Sequence, residues 1–126
     1  MLYSTLLKIT PEPTLHVRFY RTEAGTEPVR YWVLDLTDGD CRSVGIALNE
    51  IQFRWPIGMP RVRKLQPRLW EARIIVKDGI ARVFFTVDEI YLVLLHGFIK
   101  KSQKAPASDL ETAIKRLKAY ERGNQP

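Results

Sequence analysis

The sequence is poor in the residues that staple small proteins or hold metals. It has one cysteine, Cys41, and two histidines, His16 and His96, far apart in the chain. A disulfide framework and a thiolate cage are both excluded within one chain, and a reducing compartment fits. Neither histidine has the spacing of a zinc ligand pair, so no metal or other cofactor is expected. Long hydrophobic runs are also missing. The longest, Ile90 to Leu95, is strand-sized and far short of a bilayer span. Met1 to Thr10 is mildly apolar, but Lys8 interrupts it and no small-residue cleavage site follows. The segment therefore does not read as a signal peptide, and a cytoplasmic protein is expected. Repeats and low-complexity linkers are absent as well. At 126 residues the chain suits one modest core. The expected organisation is a single domain over residues 15–121, an extension at 1–14 and a tail at 122–126.

What is abundant is positive charge, and it is segregated. Residues 1–53 carry 5 basic and 7 acidic side chains, whereas residues 54–104 carry 11 basic and 4 acidic. The last stretch, 105–126, is close to balanced, with 4 basic and 3 acidic. A basic middle segment fits a polyanionic partner such as RNA, DNA or an acidic protein surface, and equally fits a merely solvated face.

Hydrophobic periodicity orders the elements. Leu15 to Tyr20 alternates as a half-buried strand. Thr26 can cap a helix with Pro28 in its first turn, and Val29, Trp32, Val33 and Leu36 fall on one helical face. Asp38-Gly39-Asp40 breaks this helix and can cap a second, along which Val44, Leu48, Ile51 and Trp55 recur at helical spacing. An irregular, proline-rich connection follows, carrying Arg61, Arg63, Lys64 and Arg68. Three strand-like runs come next: Leu69–Val76, Ile80–Val87 and Ile90–Leu95. Asp78-Gly79 is the turn signal between the first two, and Asp88-Glu89 a weaker one between the last two. Ser108 with Glu111 reads as a capping box ahead of a last helix striped by Leu110, Ala113, Ile114 and Leu117 and closed by Gly123. The order β-α-α-β-β-β-α is an α+β fold, with helices expected over one face of a twisted antiparallel meander.

The first hairpin permits a geometric inference. With Asp78-Gly79 as a two-residue loop, Lys77 pairs with Ile80 and Arg73 falls opposite Phe84. Arg82 is then Arg73's diagonal neighbour, with backbones roughly 7–8 Å apart. The apolar faces of the two strands coincide in that register, which gathers Glu71, Arg73, Arg82 and Thr86 on the other face. Such a cluster serves either an anionic substrate or an ordinary ion pair between Arg73 and an acid.

Several stretches resemble a known family. They are Phe19-Tyr20 with Glu27-Pro28-Val29, Trp55 to Pro60 with Val62 to Leu65, Leu69-Trp70-Glu71-Ala72-Arg73, and Ala81 to Phe85. The most distinctive is Leu95-His96-Gly97-Phe98-Ile99-Lys100-Lys101-Ser102-Gln103-Lys104-Ala105-Pro106. Together they are similar to the phage-derived branch of the RelE/HigB toxin superfamily, over about residues 15–120. The resemblance implies two N-terminal helices, a twisted antiparallel sheet and a C-terminal helix. It implies metal-free cleavage of mRNA, usually on the ribosome, and inhibition by a cognate antitoxin, expected to be a small helix-turn-helix protein. The matching site positions are Arg73, Arg82 and the pair Lys100-Lys101.

Metal-free RNA cleavage uses the ribose 2′-hydroxyl as nucleophile. Arg73 and Arg82 suit the phosphate, because a guanidinium is planar, permanently charged and bidentate. Lys100, Lys101 and Lys104 either bind the RNA backbone or supply an acid or base whose pKa the arginines would lower. His96 titrates naturally near neutrality, yet a turn at Asp88-Glu89 would pair it with Ala81 on the core face, so it reads either as acid or base or as a packed histidine. Glu71 suits a base or an ion pair. Phe98 suits stacking on a base or core packing. Arg61, Arg63, Lys64 and Arg68 suit RNA or ribosome phosphates. A non-catalytic RNA- or ribosome-binding module is the main rival reading. A DNA-binding regulator fits less well, since no helix-turn-helix carries the cations.

Overall fold

The computed structural model describes residues 12–100 and 107–123. The elements run β1 (His16–Phe19), α1 (Pro28–Leu34), α2 (Asp38–Arg54), β2 (Val62–Gln66), β3 (Leu69–Val76), β4 (Gly79–Asp88), β5 (Tyr91–Lys100) and α3 (Ala107–Gly123). This is the expected α+β order with one added strand, β2. The five strands form one sheet in the order β1-β5-β4-β3-β2. β1 runs parallel to β5, and the other neighbours are antiparallel. β2 lies where an irregular connection was expected. Its exposed Arg63 and Lys64 hide the strand pattern, but Val62 is buried opposite Ala72.

The helical stripes pack as their spacing predicts, although the caps shift by a residue. Pro28 occupies the first turn of α1, so Glu27 rather than Thr26 is the N-cap. Thr37 rather than the Asp38-Gly39-Asp40 stretch caps α2, its hydroxyl accepting the Asp40 N–H at 3.2 Å. α3 begins at Ala107, which puts Ser108 inside the first turn, where its carbonyl accepts the Thr112 hydroxyl at 3.0 Å.

Helices cover both faces of the sheet, not one. Val29, Val44, Leu48 and Ile51 of α1 and α2 pack on Ala72, Ile74, Val83, Phe85, Leu92 and Leu94. Ala113, Leu117 and Tyr120 of α3 pack on Leu69, Phe84, Val93 and Leu95 across the sheet. Phe84 with Phe85 and the whole run Leu92–Leu95 are buried. Central strands that are apolar on both faces need a layer on each side. On the α1 side, a Cβ at Gly97 of β5 would lie 2.4 Å from the Trp32 ring. The indole thus sits directly on the glycine backbone. Gly97→Val should overpack this contact and lower the unfolding free energy by about 1–3 kcal/mol in a urea titration.

Both hairpins adopt registers other than those expected. In β3–β4, Val76 pairs with Gly79, so the loop is Lys77-Asp78 and Arg73 stands directly opposite Arg82. The apolar faces still coincide, because the two registers differ by a full two-residue period and hydrophobicity cannot separate them. Gly79 is needed for close approach rather than for the turn: a Cβ there would meet the Lys100 carbonyl oxygen at 2.7 Å. The Lys77 N–H is held at 3.2 Å by the Asp40 carboxylate at the start of α2. In β4–β5, Asp88 pairs with Tyr91, and Glu89 takes a positive φ of 54° in the turn. A bulge follows, so that Phe85 faces Leu94 while Phe84 faces His96. The extra residue reverses the expected facing of His96, which lies on the α3 side with Arg82 instead of on the core face with Ala81.

Candidate functional site

The α3 side of the sheet has two parts. Under α3 it is a closed apolar layer. Toward the β3–β4 turn it carries Arg73 and Ile75 on β3, Ile80 and Arg82 on β4, and Phe98 and Lys100 on β5. The cross-strand pairs Arg73–Arg82, Arg82–Phe98 and Ile80–Lys100 bring these side chains onto one surface. The half-buried Arg73, the nearly buried Arg82 and the half-buried Lys100 and Phe98 therefore form one cluster.

The two arginines differ in their commitments. Arg82 Nη1 donates to Glu71 Oε2 at 2.9 Å, and Glu71 is only 1% exposed. Arg63 Nη2 approaches the other carboxylate oxygen at 3.5 Å. Glu71 is thus held between two guanidiniums. Arg73, on the same face of the same strand, makes no ion pair among the described residues. Among the described residues its Nε and that of Arg82 are buried without hydrogen-bond partners, as is Glu71 Oε1. Unpaired buried donors of this kind are uncommon in folded proteins.

The other cations serve different ends. Arg61 donates from Nε to Glu50 Oε1 at 3.0 Å and from Nη1 to the Arg73 carbonyl at 2.8 Å, locking the loop before β2 to the sheet edge. Lys64 Nζ lies 5.4 Å from the centre of the Trp70 ring, which packs with the α1 and α2 core, so it faces away from Arg73. Arg68, at φ 63° in the β2–β3 turn, pairs with Glu121 of α3 at 2.7 Å, at the opposite end of β3 from Ile75. Lys101 and Lys104 lie outside the described residues.

His96 is fully engaged. Its Nε2 lies 2.6 Å from Asp109 Oδ1, and its Nδ1 lies 3.2 Å from Arg116 Nη1. A guanidinium can only donate, so Nδ1 accepts and the ring proton is on Nε2, donated to Asp109. Arg116 also donates to the Leu95 carbonyl at 2.9 Å, and burial pushes its guanidinium below the ordinary arginine pKa. Asp109 and Arg116 are seven positions apart on α3, hence on one face. The sequence shows that spacing but not the histidine it grips, because the bulge decides where His96 points. Phe98 stacks on His96 at 5.8 Å and meets Phe84 at 5.5 Å.

A second clamp holds the far end of α3. Tyr120 donates to Asp88 Oδ2 at 2.7 Å and accepts from Arg18 Nη1 at 3.0 Å. Burial, then the Asp88 hydrogen bond, raises its pKa above the ordinary 10.0. The folded state therefore binds this proton more tightly than the unfolded chain does. The contribution is fully present below about pH 10 and is lost as pH rises toward the elevated value. Unfolding titrations at pH 8 and pH 11 should show a larger loss of stability for the native chain than for Tyr120→Phe.

A pocket of about 420 Å³ adjoins the cluster, lined by Arg73, Ile75 and Ile80 of the sheet, by the 57–61 loop and by Glu50 of α2. The sequence gives no hint of it, since its walls come from three separate stretches of chain. Among the described residues no group of three His, Cys, Asp or Glu side chains is disposed to hold a metal ion, and no helix is long and apolar enough to cross a membrane.

Fold and site together define a basic α+β protein with opposed arginines on the open end of a sheet face. Residues 31–118 match the family model described as Phage derived protein Gp49-like (DUF891), and the chain belongs to that family. The family is associated with the toxins of toxin–antitoxin systems, and such a toxin has an antitoxin partner. No curated protein matches the chain.

Proposed function

We propose that this protein is the toxin of a type II toxin–antitoxin system and a metal-independent endoribonuclease acting on translated mRNA, as the likeness to RelE/HigB toxins implies. The observation that carries the reading is the direct opposition of Arg73 and Arg82, with Arg73 free of any ion pair among the described residues. A phosphodiester is the acceptor that such donors match.

In this reading Arg73 grips the scissile phosphate with two N–H groups. Arg82 contributes field rather than contact, since Glu71 shares its charge. The ribose 2′-oxygen attacks the adjacent phosphorus as it loses its proton. The 5′-oxygen leaves as it gains one, and a 2′,3′-cyclic phosphate remains. Arg73 stabilises the charge that builds on the phosphoryl oxygens. Lys100 lies on the same surface and holds the backbone or supplies a proton, with Lys101 and Lys104 following in the chain. Phe98 offers a ring for a base to stack upon. With both nitrogens occupied, His96 anchors α3 beneath the site rather than moving a proton. Arg63 extends the cationic surface toward longer RNA or the ribosome. Arg61, at the sheet edge, and Lys64 and Arg68, which lie away from this cluster, are further candidate contacts.

One observation favours the rival reading of a non-catalytic RNA- or ribosome-binding module: both nitrogens of His96 are engaged and Glu71 is ion-paired, leaving Lys100 as the acid–base candidate on this surface among the described residues. Expression in translating cells, followed by mapping of mRNA 5′ ends, separates the two. New 5′-hydroxyl ends within reading frames are expected from the nuclease. Growth arrest with intact messages would establish the binding module instead.

A further inference from the structure

We propose that the pocket beside Arg73 seats the nucleobase next to the scissile phosphate, and that Glu50 makes it a guanine site. The inference rests on the ribonuclease reading above. At about 420 Å³ the pocket lies in the range of small-ligand sites, which are mostly apolar with a few polar groups that fix orientation. Its sheet floor is the cross-strand pair Ile75–Ile80, and Ile57 and Met59 stand in the facing loop. Ile75 is 82% exposed and Met59 62%, apolar surface that a flat heteroaromatic ring would cover. Arg73 lines the same pocket, so a phosphate on its guanidinium belongs to the nucleotide whose base enters there.

The choice of base follows from the one carboxylate in the lining. Glu50 Oε1 accepts from Arg61 Nε at 3.0 Å, which orients the carboxylate, while Oε2 has no partner among the described residues. Each carboxylate oxygen accepts more than one hydrogen bond, so the pair together still suits two adjacent N–H donors. Guanine presents such a pair, N1–H beside N2–H. Adenine and cytosine set one amine beside an acceptor, and uracil sets one N–H between two carbonyls, which a carboxylate repels. Arg61 also holds the Arg73 carbonyl, so the base-reading and phosphate-reading groups share one rigid frame.

The test uses the full chain and 2′-O-methyl pentanucleotides, which cannot be cleaved, with one variable central base, read by fluorescence anisotropy. Guanine should bind about ten-fold tighter than adenine, near the low end for a bidentate contact, and inosine, which lacks the N2 amine, should fall between them. Glu50→Gln should erase the preference for guanine while leaving the salt dependence unchanged. Met59→Trp, which fills the pocket and leaves the Glu50 and Arg61 residues themselves in place, should weaken binding of every base-bearing oligonucleotide, and it keeps the idea testable if Glu50→Gln fails to fold. Equal binding of all bases by the native chain would overturn the proposal, as would a Met59→Trp variant of unchanged affinity and preference. Base-indifferent RNA binding together with occlusion of the Met59 methyl by the antitoxin would overturn it in favour of a seat for protein. Failure of the underlying reading looks different: native chain that cuts no message in cells yet still prefers guanine among uncleavable oligonucleotides removes the nuclease and leaves the pocket.

Discussion

Arg73→Ala is expected to fold as the native chain does and to lose RNA cleavage by about 10²–10³-fold, the usual cost of deleting one preorganised donor to a transition-state charge. Folding should survive because the side chain makes no ion pair among the described residues, and the structural bonds at this position belong to its backbone: the N–H donates to the Arg61 carbonyl and the carbonyl accepts from the Arg61 guanidinium. Arg73→Lys should recover only part of the activity, since an ammonium keeps the charge but loses the planar two-donor fork. The measurement is the yield of new 5′ ends in cells, normalised to the amount of folded protein. An Arg73→Ala chain that cleaves at the native rate would remove Arg73 from the site.

The largest effect on stability is expected at Glu71. Removing the carboxylate leaves Arg82 buried with no counter-charge, and Glu71→Ala should lower the unfolding free energy by about 3–5 kcal/mol. The second arginine contact, from Arg63, is half exposed and longer, so its loss adds little. The double variant Glu71→Leu/Arg82→Leu should be far more stable than Glu71→Ala, because an apolar pair of similar volume removes the uncompensated charge along with the bridge. Chemical unfolding of the three chains gives the comparison. A Glu71→Ala chain as stable as the native one would mean that Arg82 reaches water or another acceptor.

Glu71 and Arg73 also show how structure and function divide a single strand face. They are two residues apart, one buried in an ion pair and the other without an ion pair among the described residues. The like charges of Arg73 and Arg82 face each other directly, an arrangement that costs stability in a sheet unless an anion lies close by. Glu71 supplies that anion for Arg82. In the proposed reading a phosphate supplies it for Arg73.

The candidate site was legible as far as local period reaches. Alternation in Leu69–Val76 and Ile80–Val87 puts Arg73 and Arg82 on the face turned away from the core under α1 and α2, and the structure keeps that division. The same alternation is blind to a shift by a whole period, which is why Arg82 was expected diagonal to Arg73 and is directly opposite. His96 was misdirected for a related reason. Periodicity assumes an unbroken strand, and a one-residue bulge near His96 reverses the facing. β2 was missed because its two exposed cations mask a strand that only pairing with β3 reveals.

The sequence by itself determined every element but β2, the apolar stripe of each helix, the faces of β3 and β4 that turn toward α1 and α2, and the concentration of positive charge in the middle of the chain. These follow from side-chain spacing, a local property that every part of the chain carries wherever the rest lies. Only the tertiary structure decided the register of the hairpins, the layer of helix on each side of the sheet, the grip of Asp109 and Arg116 on His96, and the pocket walled by Glu50, Met59 and Ile75. Those depend on which distant backbones can approach, as Gly79 does beneath the Lys100 carbonyl and Gly97 beneath Trp32, and closeness of that kind is a property of the packed whole.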